Sequence, residues 1–90
     1  MKKIKILAFY QFTSFDRTRV LQTSLQEICN EREIYGSILI ASEGINGTVA
    51  GIGSGIDSLL VYIKSLPGCE MVEHKFSFTT SMPFKKMRVR

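Results

Sequence analysis

Ninety residues make one domain, with room for a small core and little for an elaborate catalytic cleft. No apolar run approaches the ~20 residues of a membrane span, and a formal charge of +4 is a modest pointer to a polyanionic partner. Two cysteines without a CxxC pair and a single histidine, His74, offer no zinc-ligand spacing, so free thiols in a reducing cytoplasm are the default.

The chain opens on Ile4 to Phe12, which alternates as a strand. Ile4, Ile6, Ala8, Tyr10 and Phe12 fall on one face, and Leu7 and Phe9 on the other, the pattern of a central strand covered on at least part of both faces. The basic start and short apolar run resemble a signal peptide. Gln11, Thr13, Asp16 and Arg17 interrupt that run and no small-residue cleavage site comes after it, so a buried strand is the better reading. Ser14 or Asp16 is placed to cap a helix on which Leu21, Leu25, Ile28 and Cys29 share one face while Gln22, Gln26, Glu27 and Arg32 point elsewhere. That helix ends around Asn30 to Glu33.

Ile34 to Ala41 reads as the second strand, with Gly36 allowing a close approach or bulge near its start. Ile45 to Ile52 is the third. The intervening "SEGING", Ser42 to Gly47, reads as a hairpin connection: Gly44, Asn46 and Gly47 tolerate positive φ, and Asn-Gly is a strong turn signal. It makes a poor phosphate cradle, because a strand succeeds it, no Lys or Arg lies within it, and Glu43 repels anions. Next, "GSG" at Gly53 to Gly55 breaks the strand and Ser54 stands three residues before Asp57, a partial capping-box spacing. This stretch suits an anion better than "SEGING" does, although helix capping explains it first. Ile56, Leu59, Leu60, Ile63 and Leu66 give the second helix a clean apolar face, and Pro67-Gly68 stops it. Met71 to Phe78 alternates as a fourth strand, and "FKKMRVR" is a further extended segment.

The order β-α-β-β-α-β specifies a ferredoxin-like, acylphosphatase-like α+β fold: a four-stranded antiparallel sheet with two helices on one face. In that topology the first and last strands are neighbours. Lys2, Lys3 and Lys5 then share an edge with Lys85, Lys86, Arg88 and Arg90, and the separated charges merge into one basic patch. The plainer reading makes them solvated edges and tails. Tyr10 and Phe12, with Arg17 and Arg19 nearby, bring RNA stacking to mind, but the third strand offers no aromatic residue, so core packing is the better account of Phe9, Tyr10 and Phe12. His74 has no Asp, Cys or Ser partner close in sequence and reads as a partly exposed strand histidine. Cys29 reads as packing at a helix–sheet interface. An acylphosphatase is the enzyme alternative, but the first loop, "YQFTSFDRTR", lacks a glycine-rich cradle and the second strand has no Asn.

The run Gly36 to Gly51, "GSILIASEGINGTVAG", resembles the N-terminal domain of the rhodanese-domain-containing tRNA uridine hydroxylases. Phe9, Tyr10 and Phe12 match that family's opening strand, and Lys75, Ser77, Pro83 and Phe84 match its segment after the second helix. The resemblance runs across essentially the whole chain. It implies a single domain over 1–90 followed by a rhodanese domain, in a protein that hydroxylates the wobble uridine of certain tRNAs in an oxygen-dependent reaction. The family's active-site cysteine belongs to the rhodanese domain, and neither Cys29 nor Cys69 matches its context. The resemblance therefore implies for this domain a non-catalytic role without cofactor or metal: binding tRNA or packing against the rhodanese domain. The candidate phosphate contacts are Lys2, Lys3, Lys5, Lys75, Lys85, Lys86, Arg88 and Arg90, and the signature loop is Glu43, Gly44, Asn46 and Gly47. Glu43 is singled out as the loop residue with a task beyond the turn, either holding the loop rigid or presenting it to a neighbouring domain.

Overall fold

A computed structural model describes residues 3–90. Lys2, one of the basic candidates, lies outside the described residues. The elements are β1 (Ile4–Phe12), α1 (Thr18–Glu31), β2 (Tyr35–Ala41), β3 (Gly44–Gly51), α2 (Gly53–Lys64), β4 (Glu73–Thr79) and β5 (Met87–Val89). They form a five-stranded sheet in the order β4-β1-β3-β2-β5. The α+β ferredoxin-like architecture stands, with one correction. The C-terminal extended segment is a fifth strand, and it joins β2 in parallel while every other pair is antiparallel.

That correction moves the charges. The neighbours of β1 are β3 and β4, and β5 sits at the far edge. The basic C-terminal strand therefore does not merge with the N-terminal lysines. Three strand spacings of about 4.8 Å separate β1 from β5.

Both helices cover the same side of the sheet, α1 over β2 and β5 and α2 over β1 and β3. Their apolar faces meet Leu7, Phe9, Ile38, Ile40, Ile45 and Val49 in one core. Leu21, Leu25 and Cys29 of α1 and Ile56, Leu59, Leu60 and Ile63 of α2 are buried, as their spacing requires. On β1 the covered face is the one with Leu7 and Phe9. The opposite face leaves Ala8, Tyr10 and Phe12 exposed, so core packing accounts for Phe9 and not for Tyr10 and Phe12.

The expected helix caps are absent. α1 begins after Arg17 and α2 after Ile52, neither with a side-chain cap hydrogen bond, and "GSG" forms the first turn of α2. Tertiary packing replaces capping here: Gly55 is buried where α2 meets the chain at Arg32 and Ile34, which a Cβ would touch at ordinary contact distance. α2 closes at Lys64, before Pro67-Gly68.

β5 is held from two sides. Gly36 N–H donates to the Lys86 carbonyl, Ile40 N–H to that of Arg90, and Arg90 N–H to that of Ile38. From α1, Gln22 Nε2 donates to the Val89 carbonyl at 2.7 Å, while Gln26 Oε1 accepts from Val89 N–H at 3.3 Å. The two glutamines expected to point away from the core serve as clasps for the last strand.

Candidate nucleic-acid interface

The hairpin between β2 and β3 turns on Ser42 and Glu43, with Ala41 paired to Gly44. Asn46-Gly47 lies inside β3 and is not the turn. Gly47 sits between Phe9 of β1 and Ile38 of β2. A Cβ there would stand 2.7 Å from the Ser37 carbonyl oxygen and 3.0 Å from Phe9 Cζ. Gly44 is equally confined: its Cβ would stand 2.5 Å from the Gln11 carbonyl oxygen. The glycines of the signature allow the strands to approach closely and the Phe9 ring to lie over the ladder.

The turn also fixes the loop after β1. Thr13 N–H donates to the Glu43 carbonyl at 3.1 Å and Phe15 N–H to the Ser42 carbonyl at 2.9 Å. Rigidity thus comes from the turn's main chain, while the Glu43 residue is exposed. A phosphate cradle at the first loop requires free N–H groups, and these two are already engaged. The acylphosphatase alternative finds no support in this loop.

Neither thiol is open to solvent. Burial pushes the Cys29 thiol up to about 12. Burial, followed by the charge of Glu70, raises that of Cys69. Both residues are fully buried and free. His74 is an exposed strand residue whose Nδ1 lies 3.0 Å from the Val72 carbonyl oxygen. Among the described residues no group of three or more His, Cys, Asp or Glu is arranged to hold a metal ion.

The uncovered sheet face gathers the remaining chemistry. Register and strand alternation place Arg88, Ser37, Thr48, Ala8 and Lys75 in one row across it. The next row holds Leu39, Asn46, Tyr10 and Glu73, and beyond it comes Phe12 opposite Gly44. Arg90 continues β5 beside Ile38 and Ile40, and alternation puts it on the same side as Arg88. Phe12 is 77% exposed, Leu39 50% and Tyr10 48%, and the Tyr10 and Phe12 rings meet edge to face at 6.3 Å. The Glu73 carboxylate raises the Tyr10 phenol's pKa by hydrogen bonding and by charge.

The basic candidates divide accordingly. Lys75, Arg88 and Arg90 belong to the open face. Lys3, Lys85 and Lys86 are exposed near the ends of the chain. Lys5 is on the helix side: its Nζ lies 2.7 Å from Asp57 Oδ1 and 4.1 Å from the centre of the Phe76 ring. Sequence reading does not identify Tyr10, Phe12 and Leu39 as an exposed group, because alternation shows that two faces exist without showing which one the helices cover.

The model of the family described as the UPF0176 acylphosphatase-like domain matches residues 4–90. This chain belongs to that family. Curated relatives include the "tRNA uridine(34) hydroxylase" of Gluconobacter oxydans, 42% identical over 97% of this chain, and that of a Jannaschia species, 46% identical over 94%. The UPF0176 domain spans 28% of the length of each. Among solved structures, a bacterial light-regulated adenylyl cyclase matches with a TM-score of 0.77 and 12% identity, covering 98% of this chain and 28% of that one. An acylphosphatase from Coxiella burnetii matches at 0.65 and 13%, covering 99% of this chain and 94% of that one. At these identities the two structures establish the fold alone. Among the described residues no helix is long and apolar enough to cross a membrane.

Proposed function

We propose that this domain is the non-catalytic, tRNA-binding part of a tRNA uridine(34) hydroxylase. The observation that carries the reading is the match to two relatives of that name, aligned along nearly the whole domain while the domain spans 28% of each. The chemistry of the domain fits a supporting role. Its thiols are buried with raised pKa values, its histidine faces a main-chain oxygen, and two N–H groups of its first loop are already engaged. Catalysis then belongs to a further part of the polypeptide, for which the rhodanese domain implied by the resemblance is the candidate. A tRNA substrate puts the work in the cytoplasm.

The phosphate contacts proposed are Lys75, Arg88 and Arg90, with Lys3, Lys85, Lys86 and Lys2 beyond them. Lys5 is the weakest of the set, since its ammonium already faces Asp57. Phosphate contacts release counterions, so affinity for tRNA should fall with salt by a log–log slope of roughly 0.7–0.9 per contact. Titrating the 90-residue chain with tRNA at several ionic strengths measures this slope. A slope near three or more supports the reading. Absence of binding at low salt, or a flat response, removes RNA from the domain's role and leaves packing against the rhodanese domain. Incubation with an acyl phosphate tests the enzyme alternative, and no turnover is expected.

A further inference from the structure

We infer that the uncovered sheet face is a stacking platform for unpaired nucleotides, with Phe12 and Tyr10 taking bases and Arg88, Arg90 and Lys75 taking the flanking phosphates. The inference rests on the tRNA reading and gives it a surface and a form of RNA. Three observations carry it. First, the two aromatic rings are exposed on an interior strand, paired to β3 through Phe12 and to β4 through Tyr10. A fixed, solvated aromatic pair is what stacking of single-stranded bases requires. Second, cations occupy both ends of the neighbouring row, Arg88 on β5 and Lys75 on β4, four strand spacings or roughly 19 Å apart. Third, Asn46 stands beside Tyr10 in the same row, an exposed amide able to donate to and accept from a base edge.

Two carboxylates lie near the face and shape it. Glu73 is directly across from Tyr10. Glu43 is exposed at the hairpin turn. Both lie toward the aromatic end, so the phosphates belong on the side of Arg88 and Lys75. A protein partner fits less well. Tyr10, Phe12 and Leu39 make a small apolar patch rimmed by charges, whereas a standard interface engages about 20–30 residues a side around a core depleted of charge. Paired RNA fits less well too, because its bases are not available to stack. Position 34 of a tRNA lies in the anticodon loop, which is unpaired.

The test compares an anticodon stem-loop with a fully paired RNA hairpin of equal length, binding each to the 90-residue chain and to the Tyr10→Ala, Phe12→Ala and Arg88→Gln variants. Each aromatic variant should weaken stem-loop binding about tenfold, leave paired-hairpin binding unchanged, and keep the salt slope. Arg88→Gln should weaken both and lower the slope by about one. A stem-loop carrying 5-iodouridine at position 34 should photo-crosslink to β1. Wild-type affinity in both aromatic variants, or crosslinks confined to the helices, overturns the platform while salt-dependent binding still supports the tRNA reading. Failure of every RNA to bind at low salt overturns both. If Phe12→Ala spares RNA binding and instead weakens association with the remaining polypeptide, the face is an interdomain surface and the inference is wrong.

Discussion

At the scale of single residues the signature segment separates into two jobs. Gly47 makes room: a methyl group there meets the Ser37 carbonyl and the tip of Phe9 at once, and neither backbone nor a core ring can yield cheaply. Gly47→Ala should therefore cost about 1–3 kcal/mol, read as a lower urea midpoint with an unchanged m-value. Glu43 behaves differently. Its carbonyl, not its carboxylate, holds the loop after β1. Glu43→Ala keeps that carbonyl and should leave stability within about 0.5 kcal/mol of the parent. A larger loss would mean that the side chain organises the turn. With stability unchanged, an effect of this substitution on tRNA binding would locate Glu43's task at the surface.

At the scale of elements, the legible part of the sequence is its local periodicity. Leu21, Leu25 and Cys29, and Ile56, Leu59 and Ile63, repeat at helical spacing, and packing obeys them. β1 is ambiguous for a physical reason. A period of two assigns Tyr10 and Phe12 to one face and Leu7 and Phe9 to the other, but only the tertiary position of α2 decides which face stays dry. The turn is displaced from its expected place because Asn-Gly signals local flexibility, while close approach to β1 and β2 is what requires Gly47. β5 is legible as extended and illegible as a partner of β2, since its pairing is non-local and parallel. Its anchorage makes a prediction of its own. Gln22→Ala removes the 2.7 Å bond to the Val89 carbonyl and leaves a partly buried acceptor unpaired. The expected cost is about 1 kcal/mol, concentrated at the edge. Hydrogen exchange should then quicken at Arg90 and Ile40, whose N–H groups close the β2–β5 pairing, and stay unchanged at Val49 in the central strand.

At the scale of the whole molecule, the core and the proposed recognition face occupy opposite sides of one sheet. The core lies entirely between sheet and helices, and it includes both cysteines. The exposed rings of Tyr10 and Phe12 lie outside it, so their truncation should cost less than about 1 kcal/mol, small enough to keep binding measurements interpretable. The buried thiols give the fold a defined response to alkali. Cys29 is held protonated by desolvation up to about 12, and Cys69 and Tyr10 are shifted in the same direction. In the unfolded chain a thiol ionises near pH ~8.5, so above that value the unfolded state sheds protons that the folded state retains. The folded-state pKa values are the higher ones. Their contribution to stability is therefore complete below about pH 8 and is lost progressively as pH climbs toward the folded values. Urea midpoints taken from about pH 7 to about pH 10.5 should be level at first and then fall. Cys29→Ala starts from a lower midpoint because it opens a small cavity, yet its midpoint should fall less steeply with pH, since one of the linked protons is gone. Parallel curves for the two proteins would show that the Cys29 thiol ionises in the folded state as readily as in the unfolded one, and that solvent reaches the core where α1 meets the sheet.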